Sequence, residues 1–167
     1  MKALVFLPLA AVVFVAAQAH ADAPVCPAPA VLPSQWTSFA QPTAVLAGAT
    51  VATAAQLSVG QAYTAQMVPT AQMTYAVPLY KPAPDGSFGG LFTLTVTAAG
   101  VYEFGLDGKA WIDVTDGKQV SKSVAHGEGV ACSPLHKTVD FQLAPGTYTV
   151  QLSTAARTPL TIEVITK

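Results

Sequence analysis

The sequence predicts an all-β fold, namely an antiparallel, jelly-roll-like β-sandwich of about eight to nine strands. Two observations lead to this prediction. Apolar and polar residues alternate in short runs, and Gly, Pro or Asp-Gly turns follow one another about every eight to twelve residues. The rhythm of strand and helix that builds a parallel α/β sheet is missing. A length of 167 residues favours one such domain.

Composition narrows the possible classes of function. Hydrophobic residues make up 51% of the chain and charged residues 10%, and the formal net charge is −1. Disordered chains combine few hydrophobic residues with a high net charge, so this chain is expected to fold. Nucleic-acid binding needs clustered basic residues, whereas here they are scattered. No nucleic-acid partner is therefore predicted.

Residues 1–21 have the features of a secretory signal peptide. Lys2 is the positive residue, 3–17 is an apolar stretch, and Ala19-His20-Ala21 fits the rule of small residues before the cleavage site. The mature chain has no second apolar segment of about 20 residues, so no membrane span is predicted in it. The expected location is periplasmic or secreted.

The two cysteines have one possible intramolecular pairing in an oxidising compartment. A Cys26–Cys132 disulfide would fasten a Pro- and Ala-rich, extended arm at 22–48 to a late loop. Trp36 and Phe39 are expected to anchor the arm to the domain at 49–167. The alternative is that Cys132 is a free thiol or a metal ligand and that Cys26 is unpaired.

In the first half of the domain, the strand boundaries follow from the Pro, Gly and Asp residues that interrupt strands. The segment 44–56 is ambiguous, because it is rich in Ala but also contains β-branched residues. Strands are predicted at 61–68 and 73–79, and Pro78 restricts the second to a sheet edge or to a strand end. The segment 81–86 is a loop because Pro, Asp and Gly follow one another there.

The second half of the domain has clearer alternation. Phe92, Leu94 and Val96 alternate with threonines, as in a strand with one buried face. Asp107-Gly108 and Asp116-Gly117 are typical hairpin turns. A Gly-containing loop with both mature histidines is predicted at 125–136. The predicted strands are 92–97, 101–106, 111–115, 119–124, 138–143, 147–152 and 160–164.

Residues 88–165 resemble the small β-sandwich modules of exported bacterial proteins, including the pre-peptidase C-terminal type. The matching pieces are FTLTVTAAGVYEF at 92–104, WIDV at 111–114 and LAPGTYTV at 143–150. The last piece fits the L-x-x-G-x-Y pattern at the start of a late strand in such sandwiches. The resemblance implies a non-catalytic module that binds a glycan, calcium or a partner domain.

The segment 126–141, HGEGVACSPLHKTVDF, resembles a second group. Together with the signal peptide it is similar to short exported bacterial proteins that carry the label homogentisate dioxygenase. The enzyme of that name is a much longer cytosolic cupin with an iron site of two histidines and one carboxylate. The resemblance therefore implies membership of the group that carries this label, and it does not imply the dioxygenase reaction.

Candidate metal ligands cluster between residues 126 and 136. His126, Glu128 and His136 could bind iron, copper or zinc as two imidazoles and a carboxylate, with Cys132 and Asp140 nearby. Their spacing matches no stereotyped metal motif, and a disulfide would remove the Cys132 thiolate. The alternative is a solvated loop anchored by the disulfide.

Three further kinds of site are weighed on residue type. Asp107, Asp113 and Asp116 could bind calcium, although hairpin turns favour aspartate in any case. Ser133 lies between the two histidines, but a catalytic triad is recognised only by geometry. Aromatic side chains could stack on a glycan, or could simply belong to the core. These aromatic candidates are Trp36, Trp111, Tyr63, Tyr75 and Tyr80.

The sequence thus favours a non-catalytic periplasmic or secreted binding or structural module, with a glycan or protein partner and no cofactor. A metal-binding protein or metal-dependent oxygenase centred on 126–136 is the first alternative. The second is a self-assembling, oligomeric surface component, because edge strands with few charges can pair between copies.

Overall fold

The computed structural model describes residues 26–80 and 82–167, which form two β-sheets packed face to face. The predicted all-β sandwich is confirmed, while the predicted signal peptide lies outside the described residues. The strands are β1 (Thr43–Leu46), β2 (Ala55–Leu57), β3 (Ala62–Gln66), β4 (Val68–Pro69), β5 (Phe88–Val96), β6 (Gly100–Leu106), β7 (Trp111–Thr115), β8 (Ser123–Glu128), β9 (Lys137–Leu143), β10 (Gly146–Ala155) and β11 (Leu160–Thr166). Short 3-10 helices occupy Ser34–Ala40, Val51–Thr53 and Thr70–Gln72.

One sheet has six strands in the order β1-β3-β11-β6-β9-β8, and the other has the order β2-β5-β10-β7 with β4 also paired to β5. Most neighbours are antiparallel, as predicted. Two short strands differ, because β1 pairs with β3 and β2 pairs with β5 in parallel. Parallel neighbours need a crossover connection. The chain supplies one between β1 and β3 by placing β2 in the opposite sheet.

The core lies between the inner faces of the two sheets. Alternate side chains of β5, β6, β9, β10 and β11 are almost fully buried there, which confirms the inward face expected for Phe92, Leu94 and Val96 of β5. The Phe104 and Phe141 rings meet edge to face, with centroids 5.3 Å apart. Such pairs add about 0.5–1.5 kcal/mol beyond the burial of their area.

The N-terminal segment covers the outer face of the six-stranded sheet. The 3-10 helix Ser34–Ala40 buries Trp36 and Phe39 against β3 and β11, so both predicted anchors are confirmed. Gly105 makes room for this contact, because a Cβ atom there would lie 2.6 Å from Trp36 Cζ3. The described part of this segment, residues 26–48, is therefore not extended throughout, because it includes this helix.

Two strand predictions are wrong. The segment 73–79 contains no strand, because the backbone N–H groups of Ala76 and Val77 donate to the Gln151 side chain instead of to a neighbouring strand. Strand β8 covers residues 123–128, whereas a strand was predicted at 119–124 and a loop at 125–136.

The predicted disulfide between Cys26 and Cys132 is present, with the two Cα atoms 5.5 Å apart. The backbone N–H of Ala30 donates to the Cys132 carbonyl oxygen at 2.8 Å, which reinforces the attachment. The described residues contain no helix of sufficient length and hydrophobicity to cross a membrane.

Candidate functional site

The two sheets leave an open groove beside strand β8. This strand is the edge of the six-stranded sheet, and all its residues except the half-buried Gly127 are exposed. Strand β7 is the facing edge of the other sheet. A cavity of about 460 Å³ lies between these two edges, and a second of about 680 Å³ lies between β8, the loop that follows it and residues 108–109. The two cavities share His126 and Lys137 in their linings. We call the two cavities together the β8 groove.

The register of β8 against β9 explains which side chains line the β8 groove. His126 is opposite Val139, and Glu128 is opposite Lys137. Opposite residues project to the same face of a sheet. Because Val139 is buried in the core between the sheets, these side chains face the groove. Its apolar wall at the β7 end is formed by Ile112, Val120, Val139 and Phe141.

Three predicted metal ligands border one cavity but do not form a metal centre. His126, Glu128 and His136 all line the larger cavity. Nevertheless, no three His, Cys, Asp or Glu side chains in 26–80 and 82–167 are grouped so that they could hold a metal ion. The Cys132 sulfur is bonded to Cys26.

Asp140, the acid expected near these histidines, lies on the opposite face of the sheet. Its carboxylate forms an ion pair with Lys167, at 2.8 Å between Oδ2 and Nζ. The same lysine lies 3.5 Å from Glu103. Asp140 therefore belongs to an ion-pair cluster on the outer face, away from the β8 groove.

The three aspartates considered for calcium are engaged separately. The Asp107 carboxylate contacts the Arg157 guanidinium at 2.9 Å and accepts the N–H of Thr161. Asp116 Oδ1 accepts the N–H groups of Gln119 and Lys118, and these bonds lower the Asp116 pKa. The Asp116 carboxylate thus fixes its own turn, as the alternative interpretation predicts, whereas the Asp107 carboxylate joins its turn to the start of β11.

Asp113, the third aspartate, supports an exposed aromatic pair. Its Oδ1 accepts the Trp111 indole N–H at 2.9 Å, and its Oδ2 accepts the Gln151 amide at 3.3 Å. Burial raises the Asp113 pKa, and these two hydrogen bonds partly offset the shift. The Tyr80 and Trp111 rings are stacked, with centroids 5.3 Å apart and an interplanar angle of 8°.

Exposure separates this pair from the other aromatic candidates. Tyr80 is 81% exposed and Trp111 is 40% exposed, whereas Trp36 is buried. The Tyr63 hydroxyl accepts the Ser58 N–H, and the half-buried Tyr75 lies against Gly89. Among the five predicted aromatics, therefore, two form an exposed stacked pair, of which Trp111 lines the smaller cavity, and three pack within the fold.

Lys137 lines both cavities, and sequence reasoning missed it. Its Nζ donates to the Ala110 carbonyl oxygen at 2.6 Å. Burial lowers the Lys137 pKa, and the nearby Glu128 carboxylate partly restores it. An ammonium group carries three donors, so hydrogen-bonding capacity remains for a ligand. In the sequence, a lysine that lines a groove at the start of a strand cannot be distinguished from a lysine that points into solvent.

Ser133 has a local structural role. Its buried Oγ donates to the Val130 carbonyl oxygen at 2.8 Å and accepts the Leu135 N–H at 3.1 Å. These bonds shape the turn that carries Cys132. The hydroxyl is thus committed to the backbone of its own loop.

Comparison of the chain with models of known protein families gives no match. No curated protein matches it with significant similarity. The two resemblances noted in the sequence therefore remain predictions, and the function has to be inferred from the β8 groove.

Proposed function

We propose that this chain is a non-catalytic, exported binding module and that its ligand occupies the β8 groove. The supporting observation is the groove itself, an apolar cavity of about 460 Å³ between two sheet edges, whose lining includes Trp111 of the stacked aromatic pair. Ligand sites are typically concave, mostly apolar and about 300–1,000 Å³ in volume.

Export to the periplasm or the medium is part of the same proposal. It is supported by the signal-peptide features of residues 1–21 and by the Cys26–Cys132 disulfide, since disulfides persist in oxidising compartments. The test is the mass of the protein recovered outside the cytoplasm. We expect a chain that begins at Asp22, and recovery of the full-length chain in the cytoplasm would contradict export.

Binding in the groove is tested with two fluorescent probes, the neutral N-phenyl-1-naphthylamine and the anionic 1-anilinonaphthalene-8-sulfonate. Ser123 is exposed, lines the groove and lies opposite Phe141, so Ser123→Phe fills the space above that ring. Val124 is 58% exposed and does not line the groove, so Val124→Phe is the matched control. We expect Ser123→Phe to abolish the saturable fluorescence increase and Val124→Phe to retain it. If neither probe binds the wild-type protein saturably, the proposed site is wrong.

Self-assembly is the second candidate function, and the free edge of β8 favours it. Within the described residues β8 pairs with β9 on one side, and its other edge has no strand partner. Such an edge can pair with a strand of another chain. Light scattering during size-exclusion chromatography tests this candidate. A concentration-dependent dimer that is lost in Ala125→Pro would support it, and a monomer at all concentrations would contradict it.

A further inference from the structure

Positive charge is concentrated in the β8 groove, although the chain as a whole is slightly acidic. Three of the eight basic residues of the chain line it, compared with two of the nine acidic residues. His126 and His136 line it as well. The three basic residues are Lys109, Lys122 and Lys137.

The two acidic residues of the lining, Asp113 and Glu128, differ in the contacts that they make. Both carboxylate oxygens of Asp113 already accept hydrogen bonds, from Trp111 and Gln151. Glu128 is exposed near the rim and interacts with the Lys137 amine through space, without a hydrogen bond between the two side chains. The ammonium groups of the three lysines therefore supply the charged hydrogen-bond donors of the lining.

Charge and apolar surface meet at Lys137. Lys137 lines both cavities, and the smaller cavity continues over Ile112, Val139 and Phe141. A half-buried ammonium group beside an apolar wall suits a ligand with a single negative group and an apolar body. Hydrogen bonds between ionised partners are about twice as strong as neutral ones.

We propose that the β8 groove binds an apolar carboxylate. The ligand carboxylate accepts a hydrogen bond from Lys137 Nζ, and its hydrocarbon part lies against Ile112, Val139 and Phe141. This inference rests on the proposed function, because it specifies the ligand class of the same groove.

The test compares octanoate with 1-octanol, which share the hydrocarbon chain but not the charge. Each is used to displace N-phenyl-1-naphthylamine from the wild-type protein, from Lys137→Met and from the control Lys118→Met. Lys118 is exposed and lies outside the groove lining. We expect octanoate to bind the wild type about tenfold more tightly than octanol, as one charge-assisted hydrogen bond implies.

Lys137→Met should remove this preference, leaving octanol affinity within about twofold, and Lys118→Met should keep it. Equal affinities of octanoate and octanol in the wild type would overturn the carboxylate assignment, and this comparison needs no variant. An unchanged preference in folded Lys137→Met would overturn the role of the amine. In both cases probe binding would leave the proposed function intact. Absence of saturable binding of either probe would refute the proposed function itself.

Discussion

The Glu163 carboxyl group makes the stability of this sandwich depend on pH. Glu163 is 1% exposed on the outer face of β11, beneath the helix that carries Trp36. Its Oε1 accepts the Ser38 hydroxyl at 2.7 Å, while Oε2 is buried without a hydrogen-bond partner. Burial raises the Glu163 pKa above its ordinary value of 4.5, and the Ser38 hydrogen bond partly opposes the shift.

The sign follows from proton linkage. A folded-state pKa above the unfolded value means that the folded protein binds this proton more tightly. Below pH 4.5 the Glu163 carboxyl group is mostly protonated in both states, and its ionisation then contributes little to the free energy of unfolding. As the pH rises through the raised pKa, the folded state loses stability relative to the unfolded state. A buried acceptor without a partner costs about 1–3 kcal/mol, and a charged one more, so we expect a loss of at least this order by pH 8.

The test is the free energy of unfolding in urea at pH 4 and pH 8 for the wild type and Glu163→Gln. Subtracting the two proteins cancels the contributions that both share, including that of the ion-pair cluster of Glu103, Asp140 and Lys167 on the same face. We expect Glu163→Gln to gain about 1–3 kcal/mol relative to the wild type between pH 4 and pH 8. The exposed-loop variant Asp85→Asn should follow the wild type. Parallel curves for the wild type and Glu163→Gln would refute this account.

Three further predictions concern the architecture. Replacing both Cys26 and Cys132 with Ala should lower the free energy of unfolding by up to about 4–5 kcal/mol, because the bridge spans 106 positions. Thermal denaturation with and without reductant checks this loss. Gly105→Ala should destabilise by about 1–3 kcal/mol because the new Cβ meets the Trp36 ring, and unchanged urea unfolding would contradict that contact. Gln151→Ala should increase hydrogen exchange of the two loop amides bound to its side chain; unaltered exchange would show that this contact does not order the loop.

Sequence patterns predicted the strands that bury one face in the core. The segment predicted at 111–115 coincides with β7, and the alternation of Phe92, Leu94 and Val96 places them in the core as expected. The expected oxidising compartment and the presence of two cysteines predicted the disulfide. In each case one strong physical constraint, burial or pairing, acts directly on the residue types.

Other features depend on contacts that no local pattern contains. The loop at 73–79 has the apolar residues of a strand, yet its amides are held by Gln151, which lies 74 and 75 positions further along the chain. The residue type of Trp111 left open whether it belongs to the core or to the surface, and its position on an edge strand leaves it 40% exposed. Both outcomes were decided by long-range partners.

Strand β8 shows why the candidate site was harder to predict than the fold. Alternation arises when one face of a strand is buried, but β8 is exposed almost throughout, so Ala125-His126-Gly127-Glu128 resembles a loop in sequence. The missing cover over its inner face is also what opens the β8 groove. A strand whose inner face is left uncovered lacks the alternation of apolar and polar residues by which strands are recognised. The sequence therefore indicates His126 and Glu128 by their chemistry and not by their position on a strand. Their shared face with Lys137 follows from the β8–β9 register, which becomes visible in the folded chain.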